Sequence, residues 1–302
     1  MNRVLVTGAS GYVGQHLSKY LAEAGWQVRG LARSPRPASL SLPPVEWAQG
    51  DVTTSETVEQ AITGCVAVVH LACLPIRTSA QDPAEALRIN TGGTVCVLEA
   101  ARRAGVERVI NASTGQVYGG RAPLPNSEAQ SPQPDSAYAA SKLSGEIWGE
   151  AYARLHGLAV LSLRLFNVYG QALDGAPRPS VETKMLERLR QGLPPLVRGN
   201  LQTGRDFIHV RDVVRAIAQS LAGPAPQGVL NVGTGILTTL TELARVLADI
   251  MGTHLEPELE DDGQPARRFQ ADTARASAEL GFRAEILLPD GLRPLARPLG
   301  MV

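Results

Sequence analysis

The chain predicts an α/β fold: a doubly wound parallel sheet with a smaller C-terminal lobe. Three features of its 302 residues carry that expectation. Short runs rich in Val, Ile and Leu are nearly continuous, as in strands buried on both faces. Segments with helical periodicity separate those runs. A glycine-rich turn stands directly between the first strand and the first helix.

In chain order, the strands are "RVLVT", "WQVRGLA", "VAVVHLA", "ERVINAS" and "GLAVLSLRLF". Helices are expected over 12–24, 55–63, 83–104 and 139–156. The third opens on Asp82, a good N-cap, with Pro83 at the first helical position, where its missing N–H costs nothing. Beyond about residue 170 the pattern loosens into the Pro/Gly-rich stretches "GQALDGAPRPS", "GLPPLVRGN" and "AGPAPQG". The division expected is therefore a first domain over 1–170 and a smaller lobe over 171–302, interwoven with the first. Pro289, Pro294 and Pro298 disfavour a long closing helix.

Composition excludes several function classes. Lys+Arg and Asp+Glu are both 29, so nothing suggests bulk nucleic-acid or polybasic membrane binding. No apolar run is long enough to span a bilayer. The first strand follows the N-terminus at once, leaving no room for a signal peptide, and a cytoplasmic protein is expected. Cys65, Cys73 and Cys96 lack metal-ligand spacing and read as reduced thiols, so no metal is expected.

In "VLVTGASGYVGQHL", Gly8, Gly11 and Gly14 enclose Tyr12 and Val13 at the mouth of the first helix. Glycines there permit a tight turn, close approach to a pyrophosphate and packing of the helix on the sheet. The helix N-terminus then faces the phosphates. This is a Rossmann-type NAD(P) signature. A carboxylate after the second strand would select the ribose hydroxyl of NAD, but here Ala32 is followed by Arg33 and Arg36, which suit the 2'-phosphate of NADP. Asp51 and Val52 in "QGDV" are candidates for the adenine edge and face.

In "SPQPDSAYAASKLSGE", Tyr138 and Lys142 stand four apart, on one face of the expected helix. The ammonium can stabilise a tyrosinate, so that the phenol acts as general base or acid. Ala139, Ala140 and Ser141 between them are expected to leave room for a nicotinamide and a sugar ring.

With these motifs in place the chain resembles the extended short-chain dehydrogenases/reductases, in particular their nucleotide-sugar epimerase/dehydratase branch. The likeness extends through "HLAC", "NTGGT", "NASTGQVYG", "LRLFNVYG", "GRDFIHVRDV", "LNVGTG" and "ADTARASAELGF". The resemblance implies that Thr114 joins Tyr138 and Lys142 as catalytic residues, donating a hydrogen bond to the C4 oxygen of the sugar. It implies that Leu71, Ala72 and Asn90 line the cofactor site. It also implies that Asn167 and Arg205, with Arg267, hold the diphosphate of a nucleotide sugar, for which a guanidinium fork is suited. An alternative for Arg205 is an ion pair with Asp206 or Asp212, and Phe166 and His209 read as core or wall.

The dehydratases and decarboxylases of the branch carry carboxylates just after the catalytic Thr, where this chain has Gly115 and Gln116. That leaves 4-epimerisation through a transient 4-keto sugar as the favoured expectation, with NADPH-dependent reduction of a 4-keto-(6-deoxy)sugar as the alternative. A non-catalytic dinucleotide sensor is the remote third. NAD fits the epimerase; Ala32 and Arg33 favour NADP. A homodimer built on helices 83–104 and 139–156 is expected, and selectivity is expected in loops near 75–82 and 172–200.

Overall fold

Each of the five apolar runs is a strand in the computed structural model, which describes residues 2–34, 45–173, 178–223 and 227–296. Arg36 and Pro298 lie outside the described residues. The strands of the first half are β1 (Arg3–Thr7), β2 (Gln27–Ala32), β3 (Glu46–Gln49), β4 (Ala67–His70), β5 (Arg108–Thr114) and β6 (Ala159–Leu165). The added β3, "EWAQ", is short and half polar, and no apolar run announces it.

The helices of this half are α1 (Tyr12–Glu23), α2 (Ser55–Ile62), α3 (Ile76–Gln81), α4 (Pro83–Ala86), α5 (Gly93–Arg103) and α6 (Ala137–His156). The helix expected over 83–104 is interrupted: a π turn, Leu87–Gly92, joins α4 to α5. Asp82 does cap it, its Oδ1 accepting from the Glu85 N–H at 2.9 Å. α6 begins at Ala137, earlier than expected, because Ser136 Oγ accepts the Ala139 N–H at 3.2 Å.

The second half comprises β7 (Asn167–Tyr169), α7 (Val181–Arg190), β8 (Leu196–Arg198), β9 (Gly204–Arg205), β10 (Phe207–His209) and α8 (Val210–Leu221). It continues with β11 (Gly228–Val232), β12 (Thr238–Thr239), α9 (Leu240–Ile250), β13 (Glu258–Glu260), β14 (Arg268–Phe269), α10 (Ala274–Leu280) and α11 (Leu288–Ala296). α11 is a closing helix of only nine residues, within the expectation that the prolines disfavour a long one. Pro289 falls in its first turn, where no intrahelical N–H is needed, and Pro294 falls near its end.

The main sheet runs β11-β6-β5-β4-β1-β2-β3, every pair parallel. The order reverses between β1 and β4, so the loops leaving these strands diverge and open a crevice at their carboxyl ends. α1 and α8 cover one face over a core that includes Val4, Leu17, Ile110 and Val213. α2 and α5 cover the other over Leu5, Val68, Leu98 and Val109. Both β11 and α8 thus come from beyond residue 170. A separate apolar cluster, including Met185, Phe207, Leu243 and Leu292, packs together elements of the second half that stand outside this sheet.

Two buried polar ties fix the crevice walls. His70, at the end of β4, bonds Thr7 Oγ1 through Nδ1 at 2.8 Å and Thr94 Oγ1 through Nε2 at 3.1 Å. Burial depresses its pKa to about 3, so it is a neutral bridge between β1, β4 and α5. Behind β5, Glu146 of α6 accepts from Arg164 Nη2 at 2.7 Å and Nε at 3.0 Å, and also from Ser113 Oγ. α6 is thereby pinned to β5 and β6.

Candidate active site

The crevice is a cleft of about 800 Å³. Its floor is the glycine loop. Gly8 has φ +67°, and a Cβ there would meet the Ala72 backbone N at 2.7 Å. A Cβ on Gly14 would lie 2.2 Å from the Gly8 carbonyl oxygen. The motif therefore requires glycine for backbone packing as well as for ligand approach. Gly11 caps α1 without a side-chain acceptor, so the first-turn N–H groups of Tyr12 and Val13 are left for a ligand anion. These features fit the pyrophosphate of a dinucleotide.

Around this floor the strand ends place the other expected groups. Leu71 and Ala72 follow β4 and line the cleft; the Ala72 N–H donates to Thr7 Oγ1 at 3.3 Å. Arg33, Asp51 and Val52 line one end. Burial would raise the Asp51 carboxyl, but the N–H and hydroxyl of Thr53, with Arg88 and Arg33 nearby, hold it below the usual carboxylate range. It is a fixed anion at that end of the cleft.

Thr114, Tyr138 and Lys142 meet on the same cleft. Thr114 Oγ1 accepts the Gln116 N–H at 3.2 Å, which leaves its own proton free to donate. Burial pushes the Tyr138 phenol up, reinforced by Cys73, and pulls the Lys142 ammonium down, opposed by Cys73 and Glu146. In the cleft alone, then, the phenol is a protonated acid rather than the lowered one expected beside a lysine. The residues between them do not open space for a ligand. Ala139 is fully buried, Ala140 points to solvent, and Ser141 Oγ donates to the Tyr138 carbonyl at 2.8 Å.

Asn90 is the clearest departure among the expected cofactor contacts. It does not line the cleft: it is buried, accepting the Leu74 N–H on Oδ1 at 2.6 Å and donating from Nδ2 to Ser141 Oγ at 2.9 Å. Its amide is consumed in tying the loop after β4 to α6. Motif position put it near the ligand; the π turn buries it one layer behind.

Arg205 and Asn167 are brought together, Nη1 donating to Oδ1 at 3.2 Å, with Asn167 on β7 and Arg205 on β9. The alternative ion pairs are absent among the described residues. Asp206 instead accepts from Thr234 N at 2.8 Å, Gly235 N at 2.8 Å and Ala271 N at 3.2 Å, and Asp212 pairs with Arg215 at 2.7 Å. Burial lowers the Arg205 pKa, as for a desolvated cation awaiting an anion. Arg267 also lines the cleft, but from an exposed rim where Nη2 already bonds Asp135 at 2.6 Å. Phe166 is a cleft wall, and His209, expected as core or wall, is buried and caps α8.

Sequence reasoning missed Cys73, Gln116 as a lining group, and Arg178. Cys73 sat in a quoted motif, but its contact with Tyr138 depends on a loop–helix approach that spacing does not show. Arg178 lies in a Pro/Gly-rich stretch with no periodicity to mark it. Among the described residues no group of His, Cys, Asp and Glu could hold a metal, and no helix is long and apolar enough to cross a membrane.

Comparison with known proteins agrees with this geometry. The description "NAD dependent epimerase/dehydratase family" matches residues 4–233. A UDP-glucose 4-epimerase of Mycolicibacterium smegmatis is 33% identical over 301 residues, covering 96% of each chain. A crystal structure of a Thermotoga maritima UDP-glucose 4-epimerase with UDP-glucose has a TM-score of 0.87 at 30% identity, covering 96% of each chain. The structure of MoeE5 with UDP-glucuronic acid and NAD has a TM-score of 0.86 at 34% identity, again over 96% of each. Other relatives are named as a dTDP-glucose 4,6-dehydratase and a GDP-6-deoxy-D-mannose reductase.

Proposed function

The chain belongs to the NAD-dependent epimerase/dehydratase family, an enzyme family of extended short-chain dehydrogenases/reductases, and on that premise we propose that it is a nucleotide-sugar 4-epimerase. One observation carries the reading. Thr114, Tyr138 and Lys142 share a cleft with the glycine loop and the Arg205–Asn167 pair, while Gly115 and Gln116 place no carboxylate beside Thr114. Such a site can shuttle a proton at one sugar oxygen and lacks the acid for eliminating water.

A nicotinamide dinucleotide held by the glycine loop, Asp51, Leu71 and Ala72 supplies reversible oxidation at C4 of the sugar. Thr114 donates a hydrogen bond to the 4-oxygen. Tyr138 takes the 4-hydroxyl proton and returns it when the transient 4-keto sugar has presented its other face. Lys142 supplies the positive field that brings the phenol down in the loaded cleft, against the burial that raises it. Arg205 and Asn167 hold the diphosphate, with Arg267 at the rim, and leave the sugar free to turn.

Denaturing the purified protein and identifying what it releases tests the reading. Stoichiometric NAD is expected, together with C4 inversion of UDP-glucose or UDP-glucuronic acid without net consumption of reduced cofactor. A second reading, reduction of a 4-keto sugar by NADPH, is favoured by Ala32 at the end of β2 and Arg33 in the cleft. An empty protein that binds NADPH far more tightly than NADH would establish it instead.

The protein is further proposed to be a cytoplasmic homodimer joined through α5 and α6. Ile147, Trp148 and Leu155 of α6 are 59, 43 and 75% exposed, an apolar stripe left open in the single chain. Light scattering at micromolar concentration should give twice the chain mass of 32.0 kDa, and a monomer would refute the contact.

A further inference from the structure

The phosphate loop and the second lobe meet at one contact that the family motifs do not explain. The guanidinium carbon of Arg178 lies 3.5 Å from the ring centroid of Tyr12, the first residue of α1. Arg178 lines the cleft, yet its Nη1 is buried without a hydrogen-bond partner. The Tyr12 hydroxyl is likewise buried and makes no hydrogen bond of good geometry, its polar neighbour being the same guanidinium. Buried guanidinium N–H groups are rarely left in that state, because each forfeits its bonds to water.

The other arginines of the cleft are accounted for. Arg205 bonds Asn167, Arg267 bonds Asp135, and Arg33 faces Asp51 at the adenine end. Glu182, in the first turn of the neighbouring α7, is buried with its own Oε2 unpartnered, and it forms no ion pair with Arg178 among the described residues. Glu182 thus offsets the charge nearby without satisfying the donor. The stack on Tyr12 holds the guanidinium plane in place beside the free N–H groups of the α1 first turn.

We infer that Arg178 is an anion-binding residue of the cleft, completing its hydrogen bonds on an anionic oxygen of the bound ligands. Resting on the epimerase reading, that oxygen has two sources: the pyrophosphate of the dinucleotide, or a carboxylate on the sugar. The carboxylate would make an acidic sugar such as a UDP-uronic acid the preferred substrate.

The test is Arg178→Gln, with Arg178→Lys as the charge-keeping partner. NADH and adenosine binding are read by fluorescence and calorimetry. UDP-glucuronic acid and UDP-glucose binding to the NAD-loaded protein are read by calorimetry. Loss of a charge-assisted hydrogen bond predicts a 10- to 100-fold weakening, in order of magnitude, of one anionic ligand, partly recovered by lysine. Weakening of NADH with adenosine unchanged assigns the pyrophosphate. Weakening of UDP-glucuronic acid with UDP-glucose unchanged assigns the carboxylate. Affinities all within twofold of wild type, or an equal fall in all four, would overturn the inference. If neither UDP-sugar binds the unaltered protein, the epimerase reading fails while the NADH comparison still decides the role of Arg178.

Discussion

On the proposed 4-epimerase reading, Tyr138→Phe is expected to lower turnover of the accepted nucleotide sugar by about 10²- to 10⁴-fold, the usual worth of a positioned acid/base. KM should stay within a few-fold, because the ring still fills its place against the cleft and only the hydroxyl is lost. Burial already makes that hydroxyl hard to ionise, so no water at the same point substitutes easily for a phenol poised beside Lys142. Steady-state kinetics on both C4 epimers, with helix content checked by circular dichroism, measure the effect. A kcat within tenfold of wild type would remove Tyr138 from the chemistry.

Glu146→Ala is expected to cost about 3–5 kcal/mol of stability, a large share of the 5–15 kcal/mol that typically holds a domain together. The Arg164 guanidinium would remain buried with its main acceptor gone, and its Nη1 is already without a partner. Urea denaturation should show the midpoint falling, with Glu146→Gln losing less because its amide oxygen still accepts one bond. Replacing Glu146 and Arg164 together by methionine should recover much of the loss, since no charge is then stranded. A loss below about 1 kcal/mol in Glu146→Ala would mean that the pair is no strut. The pair also matters to the site: Glu146 lies one turn beyond Lys142 and opposes the fall of its pKa.

The parts legible in the sequence were those whose chemistry is local. The glycine loop is contiguous, and a Cβ on Gly14 would collide with the Gly8 carbonyl inside it, although the clash that excludes a side chain at Gly8 comes from Ala72 after β4. Tyr138 and Lys142 are related by helical geometry alone, so their common face followed from a spacing of four. The five central strands were readable because burial on both faces removes polar alternation. β3 was not, since an edge strand needs no apolar run.

By itself, then, the sequence determined the parallel sheet, the glycine loop between β1 and α1, and the common helix face of Tyr138 and Lys142, all set by backbone sterics and periodicity over a few residues. Only the tertiary structure decided which side chains remain free to meet a ligand. Asn90 spends its amide on Leu74 and Ser141, Arg267 leans on Asp135, and Arg178 is left with an open donor. The reason is physical. Whether a polar group is available depends on which partners from distant segments have already satisfied it, and that accounting closes only when the chain is packed.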